Sequence, residues 1–148
     1  MGETIMHIRE MKIDDYNDII AMFSETPGVT VREADSKNAT GTYLNRNQGL
    51  SFVATVDSRV IGCVMCGHDG RRGYLQHLVV MAGNRKQGVG EKLFTACIDA
   101  LKEIGINKTH IFVFKTNGLA NNYWINKGWN LREDIHMYSY NISPNKNA

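Results

Sequence analysis

The sequence predicts an α/β fold of the mixed type, a mostly antiparallel sheet with helices on both faces. Three observations carry this expectation. Short β-branched runs and stretches of helical periodicity follow one another in the order β-α-α-β-β-β-α-β-α-β. Two of the runs, 51–56 and 60–66, are separated only by a turn at Asp57 and Ser58, which makes an antiparallel hairpin. A glycine-rich turn then joins another β-branched run, 74–81, to the longest helical pattern of the chain.

Taken in order, residues 5–9 form a short opening strand. Asp14 or Asp15 caps a helix carrying Tyr16, Ile19, Ile20, Met22 and Phe23, which ends before Thr26-Pro27-Gly28. The stretch 24–35 is polar and irregular. Ala39, Tyr43 and Leu44 mark a second, weaker helix closed by Asn45-Arg46-Asn47-Gln48-Gly49. After the hairpin, Asp69-Gly70-Arg71-Arg72-Gly73 is a tight turn into the strand at 74–81. The long helix places Val89, Leu93, Cys97, Ala100, Leu101 and Ile104 at helical spacing and stops at Gly105. Residues 109–114 are apolar on both faces, the mark of an interior strand. Asn117 or Gly118 opens a last helix with Leu119, Ala120, Tyr123 and Trp124 as its stripe, and Gly128 ends it. A final strand is expected at 135–140. One domain therefore spans 1–142, followed by a polar tail at 143–148.

Composition narrows the function classes. The 148 residues are 43% hydrophobic and 22% charged, as in a globular protein. A net charge of +2 without a Lys/Arg-rich run speaks against nucleic acid as a partner. No apolar stretch reaches membrane-spanning length and the opening residues carry no secretory apolar region, so the expected compartment is the cytoplasm and no membrane partner is expected. Cys63, Cys66 and Cys97 are too few and too odd for a disulfide framework. Cys63 and Cys66, three apart on a strand, point to opposite faces and share no metal; no metal is expected.

The turn Arg85-Lys86-Gln87-Gly88-Val89-Gly90 is the most informative segment. Two glycines let the backbone approach a ligand, the helix start adds partial positive charge, and Arg85 and Lys86 add formal charge. Phosphate suits such a place. A bare strand–helix turn is the competing reading. The first glycine of a dinucleotide G-x-G-x-x-G is missing, as is the Gly-Lys-Ser/Thr of an ATP loop.

Three pieces of the chain, in this order, resemble the GNAT superfamily of acetyl-CoA-dependent N-acetyltransferases. The strand ending in Leu78-Val79-Val80 resembles the family's central strand. Arg85-Lys86-Gln87-Gly88-Val89-Gly90 fits its Gln/Arg-x-x-Gly-x-Gly/Ala pyrophosphate loop. Asn117-x-x-Ala120-x-x-Tyr123-Trp124-x-x-x-Gly128-Trp129 is similar to its Asn-x-x-Ala-x-x-aromatic-Tyr-x-x-x-Gly-Phe segment. With the matching element order, the resemblance covers nearly the whole chain.

The resemblance implies acetyl-CoA as cosubstrate, its pyrophosphate on the amides of Gln87, Gly88, Val89 and Gly90. Its pantetheine arm would lie along Leu78, Val79 and Val80, on a strand splayed from its neighbour by a bulge. Asn117, Ala120 and Trp124 would complete the coenzyme contacts. An amide N–H near Val80 would bind the acetyl oxygen, a donor worth roughly 3 kcal/mol in the transition state. The reaction implied is direct attack of a primary amine on the thioester.

Here the sequence departs from the family. Trp124 stands where a Tyr usually protonates the leaving thiolate, and an indole N–H is no acid. Tyr123, one residue earlier and turned by about 100°, is the candidate acid or else a packed aromatic; the thiolate can also leave unprotonated. No carboxylate base stands on the 74–81 strand. His77, beside the expected acetyl position, is the candidate base or else a histidine bonded to a loop carbonyl. His68 reads as a surface residue and His110 as structural.

Acceptor selectivity is expected in the loops. Glu25, Glu33 and Asp35 would hold a cationic amine, Arg71 and Arg72 a carboxylate, or all five are solvated. The acceptor is a small-molecule amine or a protein N-terminus, and the size of the acyl group stays open. Met137 and Tyr138 would suit a homodimer. The competing function is a CoA-binding sensor or partner-binding module on the same scaffold with little turnover.

Overall fold

The computed structural model describes residues 5–146 and 148. These fall into two compact units, one ending at Ile111 and the other beginning at Phe112. Asn147 of the expected tail, and residues 1–4 of the expected domain, lie outside the described residues.

The first unit is built on one five-stranded sheet. Its strands are β1 (Met6–Glu10), β2 (Phe52–Val56), β3 (Arg59–His68), β4 (Gly73–Val80) and β5 (Thr109–Ile111), in the spatial order β1-β2-β3-β4-β5. All neighbours are antiparallel except β4 and β5. The β2–β3 hairpin turns through Asp57 (φ +50°) and Ser58 (φ +65°). Two consecutive left-handed residues match the twist of the flanking strands, and the short polar side chain of Asp tolerates that region better than most.

Helix α1 (Tyr16–Glu25) and helix α2 (Lys37–Arg46) belong to one face of the sheet. Ile19, Met22 and Phe23 cluster there with Met11, Val53, Cys63, Met65 and Val79. Helix α3 (Val89–Glu103) covers the other face, where a Cβ on Gly62 would meet Leu93 at 3.2 Å and Val89 at 3.3 Å. The expected fold class, a mixed and mostly antiparallel sheet with helices on both faces, is therefore found. Cys63 lies in the α1 cluster, whereas Cys66 neighbours Cys97 on α3, whose thiol donates to the Leu50 carbonyl at 3.2 Å. The two strand cysteines face opposite ways, as their spacing predicts.

Several local expectations are corrected. Asp15 occupies the cap position of α1 but makes no side-chain cap bond. Its carboxylate instead receives Arg9 Nη1 and Nη2 at 2.9 and 2.7 Å and the Lys12 N–H at 2.9 Å. The guanidinium fork and the Lys12 amide together engage both oxygens, which turns the carboxylate away from the first-turn amides of α1. The strand expected at 109–114 closes at Ile111, and β5 is a sheet edge, not an interior strand. Phe112 and Phe114 are exposed, so apolar composition on both faces did not translate into burial.

The second unit contains α4 (Gly118–Asn126). Asn117 Oδ1 accepts the Ala120 N–H at 3.1 Å, which is the cap that the sequence predicts. Of the expected stripe only Trp124 is buried, and Leu119 is 87% exposed. Residues 135–140 form no strand among the described residues. Met137, Tyr138 and Tyr140 are all exposed. A period-two pattern drives strand formation only where one set of alternating side chains is buried, and here neither is.

Candidate active site

Strand β4 is paired on both sides only at its start. Its parallel pairing with β5 runs from Gly73↔Thr109 to Leu75↔Ile111 and stops. Its pairing with β3 continues through Cys63↔Val79 and Gly62↔Val80, and the Met81 N–H reaches the Ile61 carbonyl at 2.8 Å. In an antiparallel ladder alternate residues direct their backbone groups to opposite sides. The Val80 N–H is thus aimed at the side of the strand where β5 no longer pairs. Its carbonyl accepts Arg85 Nε at 3.1 Å. Val79 is buried in the core, and Leu78 and Val80 are half-buried.

The glycine loop follows at once. Lys86 (φ +61°) and Gly88 (φ +78°) are both left-handed, and Gly88 is the cap residue of α3. The first intrahelical bond runs from the Lys92 N–H to the Gly88 carbonyl at 3.1 Å. The amides of Val89 and Gly90 precede the helix ladder, as the first amides of any helix do. Val89 points its side chain into the core, while Arg85, Lys86 and Gln87 are exposed around the amides. Positive charge, helix dipole and early amides converge at one place.

A bulge shapes the middle of β4. The register shifts between Cys63 and Met65, so His77 and Leu78 together oppose Val64. His77 carries the bulge strain with φ +51°. Gln76 pairs with Met65, and His77 follows it onto the same sheet face, that of α1. There its ring lies 4.6 Å from that of Phe23, and Nε2 is 2.8 Å from Asp35 Oδ1. Asp35 is buried, and its second oxygen accepts the Arg32 N–H at 2.8 Å. The histidine bonds to a carboxylate, not to a loop carbonyl.

Residues 15–128 match the acetyltransferase (GNAT) family. The chain belongs to that family. An acetyltransferase of Pectobacterium atrosepticum is 30% identical over 112 residues, covering 76% of this chain and 79% of that protein. N-alpha-acetyltransferase 30 of Schizosaccharomyces pombe is 27% identical over 74% of this chain and 76% of its own length. Among solved structures, an aminoglycoside N-acetyltransferase in complex with CoA superposes with a TM-score of 0.75. That match covers 94% of this chain and 97% of the other at 19% identity, and speaks for the shared fold.

Against the GNAT pattern, the second unit keeps the Asn117 and Ala120 positions at the head of α4 and differs at Trp124. Trp124 is 7% exposed, with Trp129 at 4.7 Å and Tyr123 at 5.2 Å, both edge-on. The indole is packed as an aromatic core residue. Tyr123 is half-buried, with Lys127 Nζ 5.6 Å from its ring centre.

Of the residues expected to hold the acceptor, Glu25, Glu33, Arg71 and Arg72 are exposed. Asp35 is not: both its oxygens are committed to the protein, which removes it as an amine anchor. The Asp35–His77 contact spans 42 positions, and no spacing rule could have linked them. His68 Nδ1 accepts the Gly70 N–H at 2.9 Å within its own turn. An open groove of about 650 Å³ runs between Met11, Ile13, Gly41 and Leu44, and none of the expected site residues lines it. Among the described residues no three His, Cys, Asp or Glu side chains gather to hold a metal ion, and no helix is long and apolar enough to cross a membrane.

Proposed function

We propose that this GNAT chain moves an acetyl group from acetyl-CoA to a primary amine by direct attack on the thioester. The observation that carries the reading is the parting of β4 from β5 after Leu75, on a strand that runs straight into the glycine loop at the mouth of α3. An extended pantetheine arm pairs with such an edge at Leu78 and Val80, with Val79 packing the strand onto the core. The pyrophosphate takes the amides of Gln87, Gly88, Val89 and Gly90, with Arg85 and Lys86 beside it.

In the reaction the amine nitrogen bonds to the thioester carbon and the C–S bond breaks. The carbonyl oxygen, negative in the tetrahedral intermediate, accepts the Val80 N–H. His77 takes the proton shed by the amine, and the thiolate is protonated by Tyr123 or by solvent. Tyr123, Asn117, Ala120 and Trp124 enter this proposal from their place in the family motif. The named relatives include an aminoglycoside N-acetyltransferase and an N-alpha-acetyltransferase, which supports a small-molecule amine or a protein N-terminus as acceptor. The exposed Met137 and Tyr138 suit a homodimer, which sedimentation would detect.

Saturating acetyl-CoA and CoA should each raise the melting temperature, since a ligand of the native state stabilises it by mass action. Turnover should then release free thiol with neamine, a polyamine or a short peptide with a free α-amino group. An unmoved melting transition with both coenzymes refutes the reading. Binding without turnover across that panel would favour a CoA-binding module, the alternative suggested by the packed Trp124.

A further inference from the structure

We infer that Asp35 is a positioning residue for His77, forming a His–Asp pair that fixes the ring so that Nδ1 receives the proton from the acceptor amine. This inference rests on the proposed reading of His77 as the base, and its test separates the two.

The pair is built, not incidental. Asp35 is 7% exposed, and each of its polar groups has a partner. Oδ1 meets His77 Nε2 at 2.8 Å and Oδ2 accepts the Arg32 N–H at 2.8 Å. Its own N–H donates to the Arg32 carbonyl at 2.9 Å, and its carbonyl accepts the Tyr16 hydroxyl at 2.7 Å. The loop between α1 and α2 is thereby anchored to α1, and the carboxylate cannot drift. On the other side, the bulge holds His77 in a left-handed conformation that is costly for a non-glycine residue. A regular β4 would avoid that cost and would send His77 to the opposite sheet face, away from Asp35.

The chemistry follows from the atoms. An ionised carboxylate only accepts, so Nε2 must carry the hydrogen shared with Asp35. The neutral ring then has its free lone pair on Nδ1. When the acceptor nitrogen bonds to the acyl carbon, its proton passes to Nδ1, and the resulting imidazolium keeps its second N–H on Asp35. The C–S bond breaks and the electron pair leaves on sulfur. Phe23, its ring centroid 4.6 Å away, packs against the imidazole beside this pair.

A merely structural tie between loop and strand would hold the ring without affecting catalysis, and the following measurements tell the two apart. In ¹⁵N-histidine spectra of the wild-type protein above the imidazole titration, His77 should show protonated Nε2 and bare Nδ1. Asp35→Asn should lose this bias, lower kcat about tenfold or more, and leave KM for acetyl-CoA within about twofold. His77→Gln should fall at least as far, and the double variant no further, because the two side chains act as a unit. A wild-type Nδ1–H tautomer overturns the inference even if Asp35→Asn fails to fold. Wild-type kcat in Asp35→Asn beside an impaired His77→Gln overturns it while sparing the base. Full activity in His77→Gln refutes the base itself, and the pair with it.

Discussion

Arg85 Nε donates to the carbonyl of Val80 at 3.1 Å, tying the glycine loop to the last residue of the strand that precedes it. The contact links the two halves of the proposed coenzyme site, the strand edge and the phosphate cradle. It also orients the guanidinium of a loop residue that shortly precedes the early amides of α3.

Arg85→Ala should therefore weaken CoA binding about five- to tenfold, the worth of one solvent-screened hydrogen bond. Arg85 is exposed, so the melting temperature of the free protein should hardly change. Titration of CoA by calorimetry checks this. Unchanged affinity would remove Arg85 from the site.

Gly88→Ala tests the cradle from the backbone side. A Cβ at Gly88 meets nothing within 4 Å, so the cost is conformational and not steric. Holding alanine at φ +78° should lower stability by about 1–2 kcal/mol, read by urea unfolding, and reduce CoA affinity as the loop relaxes. Gly73→Ala makes the opposite case. Its Cβ would lie 2.5 Å from Leu101 Cδ1 and 2.9 Å from Thr109 Oγ1, where β4 meets both α3 and β5. Overpacking there should cost about 1–3 kcal/mol.

Much of this arrangement was legible in residue order. Asp57 and Ser58 between two β-branched runs dictate the hairpin, and Val89, Leu93, Cys97 and Leu101 dictate the face of α3. The loop was visible because Gly88 and Gly90 sit at the junction of two periodicities. What stayed hidden depends on register or on distant pairing. The resemblance implies a bulge on this strand, but its seat at His77 arises from how β3 and β4 count against each other, and no glycine or proline at His77 or Val64 announces it. Asp35 reads from sequence as an amine anchor or a solvated charge, because burial is a property of what packs above it. Residues 135–140 show the reverse failure: alternation was present, but the burial that would have used it was not.

Asp15 should leave a signature in acid. The hydrogen bond from Arg9, opposed in part by burial, holds its carboxyl below the ordinary value of about 3.9. A depressed folded-state pKa means that the unfolded chain binds the proton first as pH falls. The stabilisation is therefore complete above the ordinary carboxylate range and is lost progressively below it, through the folded-state value. Wild type should be more stable than Asp15→Asn near neutrality, and the difference should shrink as pH falls below about 4. Arg9 is 46% exposed, so added salt should reduce the gap as well. A pH-independent difference would contradict this account.

The three thiols should be silent in the native state. Cys63, Cys66 and Cys97 are each fully buried. Burial pushes the Cys63 thiol up to about 12, so at pH 8 only on the order of one molecule in ten thousand carries its thiolate. The Cys97 thiol is also raised, first by the neighbouring Cys66 thiol and then by burial. A disulfide-exchange reagent needs both access and thiolate, and the folded protein offers neither. Native protein at pH 8 should show no fast labelling, whereas protein in guanidinium chloride should react with three equivalents. Thiol release in turnover assays would then report the coenzyme alone. Rapid reaction of even one cysteine in the native protein would mean that the sheet opens on the timescale of the assay, since no static path reaches these sulfurs.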